Sequence, residues 1–300
     1  MGDARSFRDS ARHTGAGGLS RSRHGGKSAH SGLSDQDRGR TDDDSQTECR
    51  DRQSPGAGGR GFHAAGGAGR ANDRCGVRLE PLSSGHADAL FDAYRGHDGL
   101  WDYIPDGPHP SREALWDWIA AVADKPDPVF LALVTPEDGQ ARGQAAFMRI
   151  DRFSGVIEIG FIVLSPALQG SRAGSAALMA MIRWAFEAGY RRVEWKCDAL
   201  NAPSRRAAHR LGFAFEGVFR QHMIVKGRNR DTAWFAIIDR DWPALRDAYD
   251  IWLSPGNFDA KGRQRQSLSR LTGAALPGRP ASTRDATFRP RSPADPEPCR

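Results

Sequence analysis

The chain has 300 residues, of which 39% are hydrophobic, with 34 Gly, 18 Pro and a formal net charge of +6. Its four cysteines, Cys49, Cys75, Cys197 and Cys299, form no C-x-x-C pair, which argues against a disulfide scaffold and against structural zinc. The positive charge sits at the ends, with a net +3 over residues 1–75, −3 over 76–259 and +6 over 260–300. A nucleic-acid role would therefore rest on basic flanks that lack interleaved aromatics for stacking, and it ranks last among the functions considered.

Residues 1–75 carry 15 Gly and only two aromatics, Phe7 and Phe62. Such a stretch cannot bury enough apolar surface to offset its ordering entropy, and it is expected to be disordered. A GC-rich reading frame extended upstream of its true start would encode the same mixture. The region 260–300, with many Arg and six Pro from Lys261 onward, is expected to be a disordered tail. The folded domain is thus expected over 76–259, where all eight Trp lie. The N-terminus has no apolar core of the secretory type, and the apolar run at 176–188 is interrupted by Arg183 and too short to span a bilayer. A cytoplasmic protein without membrane contact is the expectation.

Within 76–259 the elements follow from periodicity. Residues 77–82 alternate like a short strand, and a helix with Leu90, Phe91 and Tyr94 on one face follows. The Gly-, Pro- and Asp-rich stretch 96–110 reads as a structured loop. A second helix is predicted over 111–123, then strands over 129–134, 144–150 and 156–163 joined by short turns, which implies antiparallel neighbours. Ala177, Leu178, Met181, Ile182, Ala185 and Phe186 make a 3.6-residue stripe that stops at Gly189. A strand at 193–197, a helix at 201–211, a hairpin of 218–225 with 232–238 turned by 226–230, and a helix at 241–253 complete the order. The fold class is α+β, or mixed α/β, and no βαβ repeat is visible.

Chemistry concentrates at two places. Strand 156–163 runs into Ser165, Pro166, Ala167, Leu168 and then Gln169, Gly170, Ser171, Arg172, Ala173, Gly174 and Ser175 at a helix start, where unpaired N–H groups and the positive dipole end suit a phosphate. Ser171 or Ser175 would serve equally as an ordinary helix cap. One helix later come Asn201 and Ser204, then Leu211, Gly212, Phe213, Glu216 and Gly217. In this order and spacing the two segments resemble the GNAT acetyltransferase superfamily, and within it the ribosomal-protein N-terminal acetyltransferase (Rim-type) branch. The resemblance covers residues 77 to about 239. One departure is Arg172, which stands where the family loop usually carries glycine; a glycine-compatible backbone there, or a charge-assisted contact from Arg172 to a phosphate, is expected.

The resemblance implies a largely antiparallel twisted sheet of about seven strands flanked by helices and splayed between its two middle strands. It implies acetyl-CoA as co-substrate, no metal, and transfer of acetyl to a primary amine, a protein N-terminus or a small molecule, by direct attack on the thioester. Phe161, Ile162, Val163, the loop from Gln169 to Ser175, Asn201 and Ser204 would hold the cofactor. The Phe161 to Val163 backbone supplies candidate donors to the oxyanion, and Ser204 is the candidate donor to the leaving thiolate. Glu158 is the first candidate base and Asp198 the second, acting through water; where relatives often carry a carboxylate, this chain has Lys196. Trp101, Asp102 and Tyr103 would lie over the acceptor side, whereas Arg228, Asn229 and Arg230 read as a solvated turn facing the same mouth. Cys197 reads as a small buried strand residue. The protein is expected to be a monomer or homodimer. A non-catalytic acyl-CoA sensor is the competing reading, with Arg172 and the absent carboxylate as marks of lost chemistry.

Overall fold

The computed structural model describes residues 76–276. Seven strands, β1 (Arg78–Pro81), β2 (Val129–Val134), β3 (Ala141–Asp151), β4 (Val156–Leu164), β5 (Arg192–Asp198), β6 (Ala214–Val225) and β7 (Arg228–Ile238), form one sheet in the order β1-β2-β3-β4-β5-β7-β6. Every pairing is antiparallel except β4 with β5. That parallel pair is brief, because only Val156, Ile157 and Glu158 align, with Arg192, Val193 and Glu194. Beyond Glu158 the two strands diverge, and the sheet opens into a cleft at the expected place.

Among the described residues six α-helices cover the sheet: α1 (Ala87–Tyr94), α2 (Arg112–Val122), α3 (Arg172–Glu187), α4 (Ala202–Arg210), α5 (Trp242–Leu253) and α6 (Leu268–Ala275). Alternation along the strands sends side chains to two cores. On one face Leu90, Tyr94, Leu115 and Ile119 of α1 and α2 pack with Phe130 and Ala132. On the other, Ala177, Met181, Ile182 and Ala185 of α3 meet Phe147, Ile157, Val193 and Phe235, with Leu245 and Tyr249 of α5 behind them. The stripe read from the sequence is the buried face of α3. Burying each such Leu, Ile or Met contributes about 1.5–3 kcal/mol.

Two boundaries differ from expectation. The ordered chain continues past Asp259: Asn257 Nδ2 donates to Trp252 O and Gln266 O at 3.1 Å each, Trp252 Nε1 donates to Gln264 Oε1 at 2.7 Å, and Leu268 is buried. Polar staples hold a segment whose composition is poor in apolar residues. The last hairpin is also longer than predicted. Its turn needs only Lys226 and Gly227, with φ of 49° and 73°, the left-handed pair of a two-residue hairpin. Arg228, Asn229 and Arg230 belong to β7 and are not turn residues. The readings of 1–75 and 277–300 as disordered lie outside the described residues.

Candidate active site

A cavity of about 1660 Å³ occupies the cleft between the diverging ends of β4 and β5. It exceeds the usual volume for one small ligand and has room for two. Its two ends differ chemically.

At one end the chain leaves β4 through Ser165 and enters α3. Ser171 is the N-cap: its Oγ accepts the Gly174 N–H at 2.9 Å and donates to Leu168 O at 2.8 Å. The N–H groups of Gly170, Arg172 and Ala173 find no acceptor among the described residues and stay available to an anion at the positive end of the helix. Gln169 lines the cavity and donates to Leu164 O at 3.1 Å, tying the loop back to its strand. The glycines have separate reasons. A Cβ on Gly174 would sit 2.3 Å from Leu168 O, so that glycine is demanded by the chain's own packing. Gly170 has φ 66° and open space around it, as a ligand's approach requires.

Arg172 departs from expectation. It adopts ordinary helical backbone at the first turn of α3, and its side chain turns away from the cavity to donate to Leu253 O at 2.5 Å and lie 4.3 Å over the Phe258 ring. The segment after α5 captures the guanidinium, which takes the side chain, though not the backbone N–H, away from a phosphate. Ser171 and Ala173 are likewise outside the cavity lining, whereas Gly170, Gly174 and Ser175 are in it. The cation at this end is Arg210, which the sequence reading missed. It lines the cavity, donates to Ser175 Oγ at 2.5 Å, and burial lowers its pKa with no ion pair to compensate among the described residues. Ser269, Thr272, Gly273 and Leu276 of the C-terminal segment form one wall here, and Thr272 Oγ1 donates to Arg210 O at 3.2 Å.

At the other end β4 carries a bulge. Gly160 pairs with Ala146 and Val163 with Gln144, so Phe161 and Ile162 share one step of β3, and Phe161 takes φ 49°. A bulge leaves a residue out of the ladder and re-aims its backbone. Phe161, Ile162 and Val163 all line the cavity. Across the cleft Asn201 caps α4, accepting the Ser204 N–H at 3.0 Å through Oδ1. Ser204 Oγ accepts the Trp195 indole N–H at 2.9 Å and directs its own proton toward the Cys197 sulfur. Burial pushes the neighbouring Cys197 thiol up to about 11, so it is inert at neutral pH.

The two candidate bases are brought to this end and are unlike each other. Glu158, 3% exposed, accepts from Arg149 Nη1 at 2.7 Å and lies 3.0 Å from Lys196 Nζ. Lys196 also pairs with Glu194 at 2.7 Å and stands 3.8 Å from the centre of the Trp234 ring; Glu194 continues through Arg192 to Glu216. Glu158 is therefore one link in a chain of alternating charges along the sheet face. Asp198 pairs with no cation among the described residues; its Oδ1 accepts the Leu200 N–H at 2.8 Å, and burial raises its pKa.

Of Trp101, Asp102 and Tyr103, Tyr103 alone lines the cavity, beside Gly99, Leu100, Ile104 and Pro105 of the same loop, and its hydroxyl donates to Leu200 O at 3.3 Å. Trp101 is instead core, 2% exposed, with its ring edge-on to Tyr94 and His109. Asp102 is exposed outside the lining. Lys226, at the hairpin tip, donates to Trp101 O at 2.8 Å and Gly107 O at 2.6 Å, so the β6–β7 hairpin holds this loop down. Arg230, read from sequence as a solvated turn, is half-buried and lines the cavity. Among the described residues no group of three or more His, Cys, Asp or Glu is arranged to hold a metal, and no helix is long and apolar enough to cross a membrane.

Comparison with known proteins gives a consistent picture. The profile of the acetyltransferase (GNAT) domain matches residues 77–214. A GCN5-related N-acetyltransferase from Brucella melitensis is 44% identical in sequence, with a TM-score of 0.64, over 65% of this chain and 90% of that one. A probable acetyltransferase of the GNAT family from Chromobacterium violaceum is 40% identical, with a TM-score of 0.52, over 56% and 90%. A Bacillus subtilis protein, provisionally named ribosomal N-acetyltransferase YdaF, is 26% identical over 58% of this chain and 96% of its own length.

Proposed function

The chain belongs to the GCN5-related N-acetyltransferase family, and from that premise we propose that it moves an acetyl group from acetyl-CoA to a primary amine by direct attack on the thioester. The observation that supports this reading is a single cavity running from a helix start with free N–H groups to a hydroxyl and a carboxylate without a salt bridge among the described residues, through a gap between two strands.

The residues fit such a co-substrate. Free N–H groups at Gly170, Arg172 and Ala173, with Arg210 beside Ser175, suit its phosphates. The diverging edges of β4 and β5 suit the amide-bearing pantetheine arm, as a missing strand would be accommodated. Acetyl-CoA, when bound, supplies an activated acyl carbon and a thiol leaving group.

The chain's own groups then have distinct tasks. The backbone at the Phe161 bulge is the source of N–H donors to the acyl oxygen as it gains charge. Ser204, with its oxygen occupied by the Trp195 indole, holds a proton for the departing sulfur. An α-amine titrates near pH 8 and must enter deprotonated or lose its proton in place. We assign that proton to Asp198, acting through water, because burial raises its pKa and it makes no salt bridge among the described residues, although the Arg230 charge works against that rise. Glu158, held by Arg149 and Lys196, positions the sheet face. The acceptor is an amine of a protein N-terminus or a small molecule, and the name of the Bacillus subtilis relative supports including protein α-amines.

The test is the melting temperature of the full chain with and without saturating acetyl-CoA, followed by thiol release with a panel of amines. A ligand that binds only the folded state stabilises it by RT ln(1 + [L]/Kd). A rise with amine-dependent thiol release supports the enzyme, a rise without release leaves a sensor, and no rise at millimolar ligand removes both.

A further inference from the structure

Arg230 is a guanidinium without a partner inside the cavity. It sits on β7 opposite Met223 of β6 and is half-buried. Its Nε is shielded from solvent with no hydrogen-bond partner, and no ion pair reaches its side chain among the described residues. The carboxylates around it are committed elsewhere. Glu158, the glutamate whose charge acts on it, is shared by Arg149 and Lys196. Asp198 is close enough to stabilise the charge electrostatically but spends one oxygen on Leu200 N–H. A buried cation that keeps an unsatisfied N–H is costly unless something fills the position. Arg149, whose side chain is half-exposed, adds a second guanidinium to the same wall and bonds Glu158 through a single nitrogen.

That missing anion is not the phosphate of the co-substrate. Phosphates are served at the opposite end, where Gly170, Ser175 and Arg210 lie, whereas Arg230 neighbours Asp198 and Cys197 at the reacting end. The anion must therefore arrive with the acceptor.

We infer that the preferred acceptor is a primary amine bearing a nearby carboxylate, which Arg230 grips while Asp198 receives the amine. This rests on the acetyltransferase reading and sharpens it. It disfavours polyamines, whose extra cations would meet Arg230 and Arg149, and favours an amino-carboxylate, either a free amino acid or a peptide N-terminus with an acidic neighbour.

The experiment measures acetylation by the full chain with matched acceptors: a C-terminally amidated Ser-Asp-Ala peptide against the amidated Ser-Asn-Ala, free glutamate against its diamide, and spermidine. The carboxylate member of at least one pair is expected to have a KM about tenfold or more lower, the effect of one charge-assisted hydrogen bond. Which pair responds separates a peptide from a free amino acid. Arg230→Gln is expected to bring that ratio close to one and to melt no lower than the parent, since it removes an uncompensated cation. Arg230→Lys keeps charge without the planar fork and should restore only part of the ratio. Equal KM values within both pairs, a preference for spermidine, or a preference that survives Arg230→Gln overturns the inference while leaving the acetyltransferase intact. Failure to turn over any amine, with no thermal shift from acetyl-CoA, overturns the underlying reading and this inference together.

Discussion

Lys196 Nζ stands 3.0 Å from Glu158 Oε2, and both side chains are almost wholly removed from water. Each has a second partner, Arg149 for Glu158 and Glu194 for Lys196. Removing one member of a buried pair costs about 3–5 kcal/mol because the other charge is left stranded, but here a second partner limits the loss. Lys196→Met is expected to cost about 2–3 kcal/mol in urea denaturation, since it takes one of two cations from Glu158 and from Glu194 and removes a cation–π contact. Glu158→Gln should cost less, and the double variant less than the sum of the two. Strict additivity would mean that the pair is not coupled.

Gly174 and Gly170 separate packing from ligand approach. Gly174→Ala forces a Cβ to 2.3 Å from Leu168 O, so the loop or helix must move; stability and acetyl-CoA affinity should fall together. Gly170→Ala meets no atom and carries only the left-handed strain of about 1–2 kcal/mol. Calorimetric titration with acetyl-CoA beside thermal melts distinguishes the two cases.

Asp198 makes a pH prediction with a definite sign. Burial raises its folded pKa, so its stabilising contribution is complete below the ordinary carboxylate range and is lost as pH rises through the folded value. Asp198→Asn keeps the acceptor for Leu200 N–H and carries no charge. It is therefore expected to melt higher than the parent at pH 7.5, while kcat falls by about 10²–10⁴-fold and the acidic limb of the pH profile disappears for an acceptor of low amine pKa. A variant with lower stability and an unchanged profile would remove Asp198 from the chemistry.

The C-terminal wall can be tested without deleting it. Gly273 lines the cavity and an added Cβ there meets nothing within 4 Å, so Gly273→Glu should fold. Its carboxylate would face the end served by Arg210 and weaken acetyl-CoA binding by about tenfold, the scale of one unfavourable charge contact. Retained affinity, measured by titration, would show that this wall lies beyond the reach of the ligand.

Much of the fold was readable because apolar periodicity is local. The α3 stripe and the 129–134 strand carry their burial in their own residues. Asn201 was legible as a cap for the same reason. What escaped depends on contacts far away in sequence. Arg172 looked like a phosphate ligand because its partner, Leu253 O, lies 81 residues on. Residues 260–276 looked like a tail because Asn257 and Gln264 secure them with polar bonds, which leave no apolar pattern. Arg230 was assigned to a turn because nothing in the sequence reveals that Lys226 accepts a left-handed backbone and shortens the loop to two residues. Trp101 carried no mark of which side of the loop its ring would choose; Gly107, where a Cβ would fall 2.4 Å from that ring, is the residue that admits it to the core.

The joining of the last helix to the anion end also sets an order of events during synthesis. Synthesis runs from the N-terminus, and every strand of the sheet, β1 to β7, precedes residue 253 in the chain. Until then Arg172 has neither Leu253 nor Phe258 to hold it, and Arg210 lacks the wall that Thr272 supplies. The residues of the reacting end are thus all synthesised before those that close the anion end, and the pocket wall is complete only with the last helix of the described chain.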